Sequence, residues 1–302
     1  MPKSYRLRIV DVFTEKQLAG NPLAVVLAAD DISAETMQAV ARETNLSETT
    51  FVLRPEKSGA ARVRIFTPHA ELPFAGHPTI GTAWVLIDEG AVDRKDEEFT
   101  LEEKIGPVPV RVERSGEAMV LWMTHPVVEF GQIIEARGGL AEAMGLTEDD
   151  LMADIPIQVA STGVPFLYVA LRDRAAVDRA RSNGEALTRV LERYQSPPVL
   201  LFAANGTNRV YSRMFGPHSL TQIMEDPATG SASGPLGAFA VKYGIVRRQS
   251  TVRLVSEQGT RMGRQSFIHI RLRFQDSRDV PVSIEVGGSV VPVITGMLGL
   301  PA

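Results

Sequence analysis

Hydrophobic and polar positions alternate along residues 5–13, YRLRIVDVF, at the period of a half-buried strand. LAGNPLAVVLA turns at Gly20–Asn21–Pro22 and enters a second strand. From Ser33 the period changes. Met37, Val40 and Ala41 form a helical stripe, and Ser33 stands where an N-cap belongs. Thr49–Leu53 and residues 61–67 are again β-branched and apolar, hence strands. PTIGTAWVLIDEG follows, with Pro78 suited to a first helical turn and Gly90 to a C-terminal cap. This predicted helix is apolar almost all round, so it is expected to be buried on every side. PVPVRVE and AMVLWMT form a hairpin about Ser115–Gly116.

The order then repeats. STGVPFLYVAL answers LAGNPLAVVLA, with Gly163 and Pro165 in place of Gly20 and Pro22. Thr147 and Asp150 make a capping box for a short helix, and a helical region is expected over 175–194. PVLLFAA, NRVYSRMF and RQSFIHIRLRF are strands, and SASGPLGAFAVKYG is a second wholly apolar helix ending at Gly244. The repeat is also literal. Arg64, Phe66, Pro68 and His69 recur as Arg213, Phe215, Pro217 and His218, and Pro73, Gly76 and His77 recur as Pro227, Gly230 and Ser231. A helix apolar on all faces needs a sheet curled around it. The expected fold is therefore α+β: two similar domains related by internal duplication, each a curved, mostly antiparallel sheet around a central apolar helix. The boundary is expected near His125–Pro126 and Val127.

The length of 302 residues suits two ordinary domains. A net charge of -4 gives no electrostatic footprint for nucleic acid. No apolar run is long enough to span a bilayer, and the N-terminus lacks a signal peptide's apolar core, so a cytosolic protein is expected. Cysteine is absent, which removes disulfides, thiolate metal sites and thiol nucleophiles together.

Both apolar helices begin at the matched motif, Ala75-Gly76-His77-Pro78 and Thr229-Gly230-Ser231-Ala232. A helix N-terminus carries unpaired N–H groups and partial positive charge, and glycine lets a ligand approach the backbone. One such terminus is ordinary capping; two at equivalent places point to a site for a carboxylate or phosphate in the cleft where the domains meet. His77 is either an N-cap residue or an acid–base group; Asp226 is either a turn residue before proline or a polar site group. Glu48 alone reads as a loop carboxylate, and spacing does not put it beside His77.

N-L-S-E-T-T-F-V-L, F-T-P-x-x-E-L-P-F-A-G-H-P-T-I-G and D-P-A-T-G-S-A together resemble the PhzF-like family, the phenazine-biosynthesis isomerases related to diaminopimelate epimerase. The resemblance covers essentially the whole chain. It implies domains over 1–126, with a C-terminal tail at about 290–302 returning to the first, and 127–289. It implies Glu48 as the proton-carrying acid/base, with His77, Asp226 and Ser231 holding the substrate and tuning the transfer. Backbone amides at Gly76–His77 and Gly230–Ser231, beside Thr229, would receive a carboxylate or developing oxyanion. A homodimer is expected on the same ground. The epimerase relatives use two cysteines; here Ala75 and Thr229 stand in those places, and neither is a base at neutral pH. A two-thiol racemisation is thereby excluded. What remains is a one-base shuttle by Glu48, which calls for a carboxyl whose pKa is raised by burial.

The leading expectation is an isomerase acting on a small carboxylate-bearing metabolite. Proton abstraction beside a carboxylate also serves a lyase or hydratase, and a non-catalytic small-acid binding protein would need the helix termini without Glu48. The five histidines lack metal-ligand spacing, and no G-x-G-x-x-G fingerprint follows a strand, so neither metal nor cofactor is expected.

Overall fold

The computed structural model describes residues 3–116, 118–216, 225–276 and 278–301. The chain divides into two compact units, Met1–Thr124 with Gly287–Ala302, and His125–Val286. Pro217 and His218, the end of the second repeat motif, lie outside the described residues.

In the first unit β1 (Lys3–Val12) pairs antiparallel with β2 (Asn21–Val26) and with the last strand, β17 (Val290–Leu300). β2 then runs parallel to β3 (Glu48–Leu53), because α1 (Ala34–Thr44) carries the chain back between them. β3 pairs antiparallel with β4 (Ala61–Phe66), which continues into the two-residue β5 (Glu71–Leu72). β4 is parallel to β6 (Glu98–Glu103), with α2 (Gly76–Asp88) as the crossover. β7 (Gly106–Ser115) and β8 (Ala118–His125) complete the meander as the expected hairpin.

The second unit repeats this pattern of directions. After β9 (Glu129–Ile133) and α3 (Arg137–Ala143), β10 (Gln158–Ser161) and β11 (Pro165–Ala170) are antiparallel. β11 is parallel to β12 (Val199–Ala204) across α4 (Arg174–Arg179) and α5 (Gly184–Leu191). β12 is antiparallel to β13 (Arg209–Phe215). β13 is parallel to β14 (Thr251–Gln258) across α6 (Gly230–Lys242). β14 is antiparallel to β15 (Ser266–Arg273), and β16 (Ser283–Gly288) follows.

α2 and α6 each bury eleven of their thirteen residues, as their uniform hydrophobicity requires. Gly81 lets α2 approach the sheet: a Cβ there would sit 2.6 Å from Leu23 and 2.8 Å from Val12. α1 covers the other face of the same strands, packing Met37, Val40 and Ala41 on Phe51 and Phe66. β3 is therefore buried on both sides: Phe51 faces α1, and the Thr50 hydroxyl meets that of Thr82 in α2 at 2.8 Å. In the second unit Tyr168, Phe202 and Phe239 fill the core around α6, while α3, α4 and α5 cover a second apolar layer that includes Leu187 and Tyr211.

One local expectation needs correction. Residues 175–194 do not form one helix. α4 stops at Arg179, and Asn183 starts α5 by accepting from the Ala186 N–H at 3.1 Å. The capping box at Thr147–Asp150 is formed as expected, with the Thr147 N–H donating to Asp150 at 3.0 Å, and opens a short 3₁₀ helix over Glu148–Asp150. Pro235 lies inside α6, in its second turn. Among the described residues no helix is long and apolar enough to cross a membrane.

Candidate active site

The repeated sequence builds the same loop twice. Arg64 grips Glu71 through Nε at 2.7 Å and Nη2 at 3.0 Å, and Arg213 grips Glu225 through the same atoms at 2.7 Å and 2.8 Å. Each guanidinium lies over the repeated phenylalanine, 5.1 Å from the Phe66 ring and 4.7 Å from that of Phe215. Two residues after each glutamate comes the repeated proline, then the helix. The shared spacing thus ties a strand end to a helix start. Glu71 and Glu225 belong to the repeat, and the sequence reading passed over them.

The N-caps of the two helices are Ala75 and Thr229. These are the positions where the cysteine-dependent epimerases are expected to carry their thiols. Neither caps its helix with a side chain. At Thr229 the reason is visible: its hydroxyl donates to Asp226 Oδ2 at 2.5 Å.

In the first unit His77 is the second residue of α2, not its N-cap, and is buried. Glu48 opens β3, and register beside Leu23 of β2 turns its carboxylate to the helix start. The two predicted groups meet there: Glu48 Oε2 stands 3.4 Å from His77 Nε2, with the Glu48 side chain 12% exposed. Asn21, the first residue of β2, closes the other side, with its amide nitrogen 3.3 Å from His77 Nδ1. An amide N–H donated to Nδ1 fixes the imidazole proton on Nε2, aimed at Glu48. Burial strips water from the charged ring and pushes the His77 pKa down to about 3. His77 is therefore neutral at physiological pH, with Nε2 facing Glu48 at 3.4 Å but making no hydrogen bond to it among the described residues. Asn21 was missed; its only sequence signal was its place in the G-N-P turn.

In the second unit Asp226 is buried beneath the start of α6, its N–H bonded to Met214 O at 3.1 Å. Gly230 and Ser231 form the first turn, Ser231 partly exposed. Gln258 at the end of β14 holds the loop. Its amide donates to Asp226 O at 2.8 Å and to Thr229 Oγ1 at 3.0 Å, and accepts from the Thr229 N–H at 3.2 Å. The next residue, Gly259, has φ +74, and a Cβ there would lie 2.3 Å from Arg264 O and 2.5 Å from Pro227 O. Both obstacles are backbone. Gly259→Ala is expected to destabilise the protein by at least about 2 kcal/mol, read as a lowered urea midpoint. A wild-type midpoint would refute that reading of the loop.

A second buried histidine, His125, has its pKa lowered to about 4 by burial and meets Thr162 Oγ1 at 2.8 Å. Opposed to both is Glu103 at the end of β6, whose pKa is pushed up to about 8 by burial. Below pH 6.5 the unfolded chain protonates two histidines that the folded chain keeps neutral, so stability falls as pH falls. Glu103 holds a proton in the folded chain that the unfolded chain lacks above pH 4.5, so it offsets one of the two. The net expectation between pH 6.5 and 4.5 is a loss of about 1.4 kcal/mol per pH unit, measured by urea unfolding. A flat profile in that window would contradict the burial of the two rings as neutral species.

A family model described as phenazine biosynthesis-like protein matches residues 10–296. A trans-2,3-dihydro-3-hydroxyanthranilate isomerase of Pseudomonas aeruginosa is 37% identical, over 94% of this chain and 96% of its own. An uncharacterized isomerase of Clostridium acetobutylicum is 30% identical over 99% and 100%. Among solved structures, a phenazine biosynthesis protein of the PhzF family from Bacillus anthracis superposes with a TM-score of 0.90 at 26% identity, over 98% of this chain and 99% of the other. A hydroxyproline epimerase from Agrobacterium vitis shares the fold alone, with a TM-score of 0.64 at 13% identity over 99% and 93%. The chain belongs to the PhzC-PhzF family of phenazine biosynthesis-like isomerases.

Proposed function

We propose that the chain is a cofactor-independent isomerase in which Glu48 takes a proton from a carbon beside an activating group and returns it to another carbon on the same face of the substrate. The observation that carries this is the Glu48–His77 pair, 3.4 Å apart. The two groups face one another, and burial keeps His77 neutral down to about pH 3, so the transferred proton resides on Glu48. The Nε2–H of His77 orients the carboxylate and stabilises its charged form before it abstracts a proton.

The Ser231 hydroxyl and the N–H groups at Gly76–His77 and Gly230–Ser231 serve as donors to the substrate's carboxylate and to the negative charge that develops on proton loss, while Asp226, an acceptor, takes a donor group of the substrate. Two helix N-termini suit that role, since their dipoles favour an anion. The substrate class is a small cyclic amino acid carboxylate of the dihydro-hydroxyanthranilate type, the compound in the names of the Pseudomonas relatives. We also propose the homodimer that the family resemblance suggests; sedimentation at equilibrium tests it.

The decisive assay incubates the protein with trans-2,3-dihydro-3-hydroxyanthranilate and determines the product mass. An isomer has the mass of the substrate. A product lighter by water assigns a lyase instead, and saturable binding without a product assigns a binding protein.

A further inference from the structure

We infer that Glu103 is a positioning residue that holds the N-terminal turn of α2, and with it His77, only while its carboxyl carries a proton. The inference concerns the pH range of the site and rests on the acid–base reading of His77 and Glu48 given above.

Glu103 is buried and ends β6 against the first turn of α2. Its Oε1 lies 2.6 Å from Thr79 Oγ1, and Thr79 Oγ1 lies 2.7 Å from Ala75 O, the carbonyl of the N-cap. A hydroxyl has one proton to give. Ala75 O is a carbonyl and only accepts. If Thr79 donates to it, the contact with Glu103 needs a proton from the carboxyl. If Glu103 is ionised, it draws the Thr79 proton to itself and the hydroxyl's bond to the N-cap carbonyl is lost, leaving Ala75 O only the longer bond from the Thr79 N–H, at 3.2 Å. Glu103 Oε2 is buried and makes no hydrogen bond among the described residues, so no second donor steadies a carboxylate there.

The duplication supplies an independent reference. β4 pairs with β6 at Arg62–Glu102, two residues before Arg64. β13 pairs with β14 at Tyr211–Glu257, two residues before Arg213. Glu103 and Gln258 are thus equivalent positions. In the second unit Ser233 Oγ donates to Thr229 O at 2.9 Å, as Thr79 does to Ala75 O. There the neighbouring position is an amide, which donates at every pH. Glu103 places at the equivalent position a group able to lose its donor, set against the Thr79 hydroxyl where Gln258 binds Asp226 O and the Thr229 hydroxyl.

The charged groups around Glu103 are committed elsewhere. On β4, Arg64 binds Glu71 of β5, and Arg62 binds Glu56. On β6 itself, Glu102 accepts from the N–H groups of Glu56, Lys57 and Gly59; just beyond its end, Lys104 lies 3.7 Å from Glu71. From α2 Glu103 faces Thr79, with the neutral His77 in the same turn. Burial without a cationic partner places its ionisation near pH 8.

The test compares wild type with Glu103→Gln between pH 6 and 9 by three measurements. Infrared difference spectra should show a buried protonated carboxyl in the wild type that is lost toward pH 9 and is absent in the variant. The ring NMR signals of His77, which does not itself ionise in this range, should move through the same transition in the wild type only. Wild-type turnover of trans-2,3-dihydro-3-hydroxyanthranilate should fall about tenfold from pH 7 to 9, as one ionisation near 8 dictates, while that of the variant stays level with pH whatever its absolute value. The inference is overturned if the carboxyl band is missing at pH 6, or if Glu103→Gln keeps the wild-type pH dependence of His77. The wild-type spectra decide the matter even if the variant does not fold. Absence of turnover at every pH would overturn the proposed function, while the infrared and NMR results would still decide the role of Glu103.

Discussion

Glu48→Gln is expected to abolish turnover while leaving substrate binding within a few-fold of wild type. Glutamine matches glutamate in shape and keeps an oxygen acceptor facing His77 Nε2, so the pocket keeps its form. It has no site for the transferred proton. His77 is held neutral by burial, and the family resemblance implies that Ala75 and Thr229, the N-caps of α2 and α6, stand where the epimerases carry their thiols. Positioned proton transfer contributes about 10²–10⁴-fold, and the variant should lose at least that much in kcat with little change in the affinity seen by titration calorimetry. Turnover within about tenfold of wild type would sink the assignment of Glu48.

The largest expected effect on stability is at Arg213. Its side chain is only 6% exposed, and it binds Glu225 with two parallel hydrogen bonds. Its Nη1 also donates to the carbonyls of Val177 and Ala180, at 3.0 Å and 2.9 Å. One side chain therefore joins β13 to the loop before α6 and to the end of α4. Arg213→Ala removes these donors together and strands a carboxylate with two buried carbonyls. Breaking a buried, hydrogen-bonded ion pair from one side costs about 3–5 kcal/mol. The duplicated Arg64 is a natural control. It makes the same grip on Glu71, but the pair is about a fifth exposed on each side and, among the described residues, Arg64 gains no loop carbonyls. Arg64→Ala should cost clearly less. Equal losses for the two in urea unfolding would contradict the role of burial and of the added carbonyl bonds.

The same pair of arginines shows how far the sequence could be read. Arg64 and Arg213 recur at fixed distances from proline and glycine, so the duplication was visible, and so were the two apolar helices. Their need for a surrounding sheet follows from burial alone. Parallel pairing of β2 with β3 and of β4 with β6 follows from the helices that intervene. What could not be read were contacts between residues distant in the chain. Glu48 and His77 meet only because β3 lies beside β2 in the sheet that α2 packs against, and no local period encodes that register. The family resemblance supplied the pairing instead. Asn21, Glu103 and Gln258 are polar residues in strands or turns, where they look like many others; their partners come from tertiary structure. Gln258 and Glu103 would have emerged from aligning the two halves beyond the helix starts. The break between α4 and α5 lay in R-S-N-G, where Asn183 caps the second helix; helical composition on both sides hid it.

The most direct test of the central claim is proton NMR of trans-2,3-dihydro-3-hydroxyanthranilate incubated with the wild-type protein in D₂O. Proton transfer through Glu48 predicts an isomer formed with the wild type and not with Glu48→Gln, and deuterium entering the carbon that receives the proton to the extent that the Glu48 proton exchanges with solvent before it is returned. A substrate spectrum left unchanged by the wild type, despite saturable binding of the compound, would contradict it.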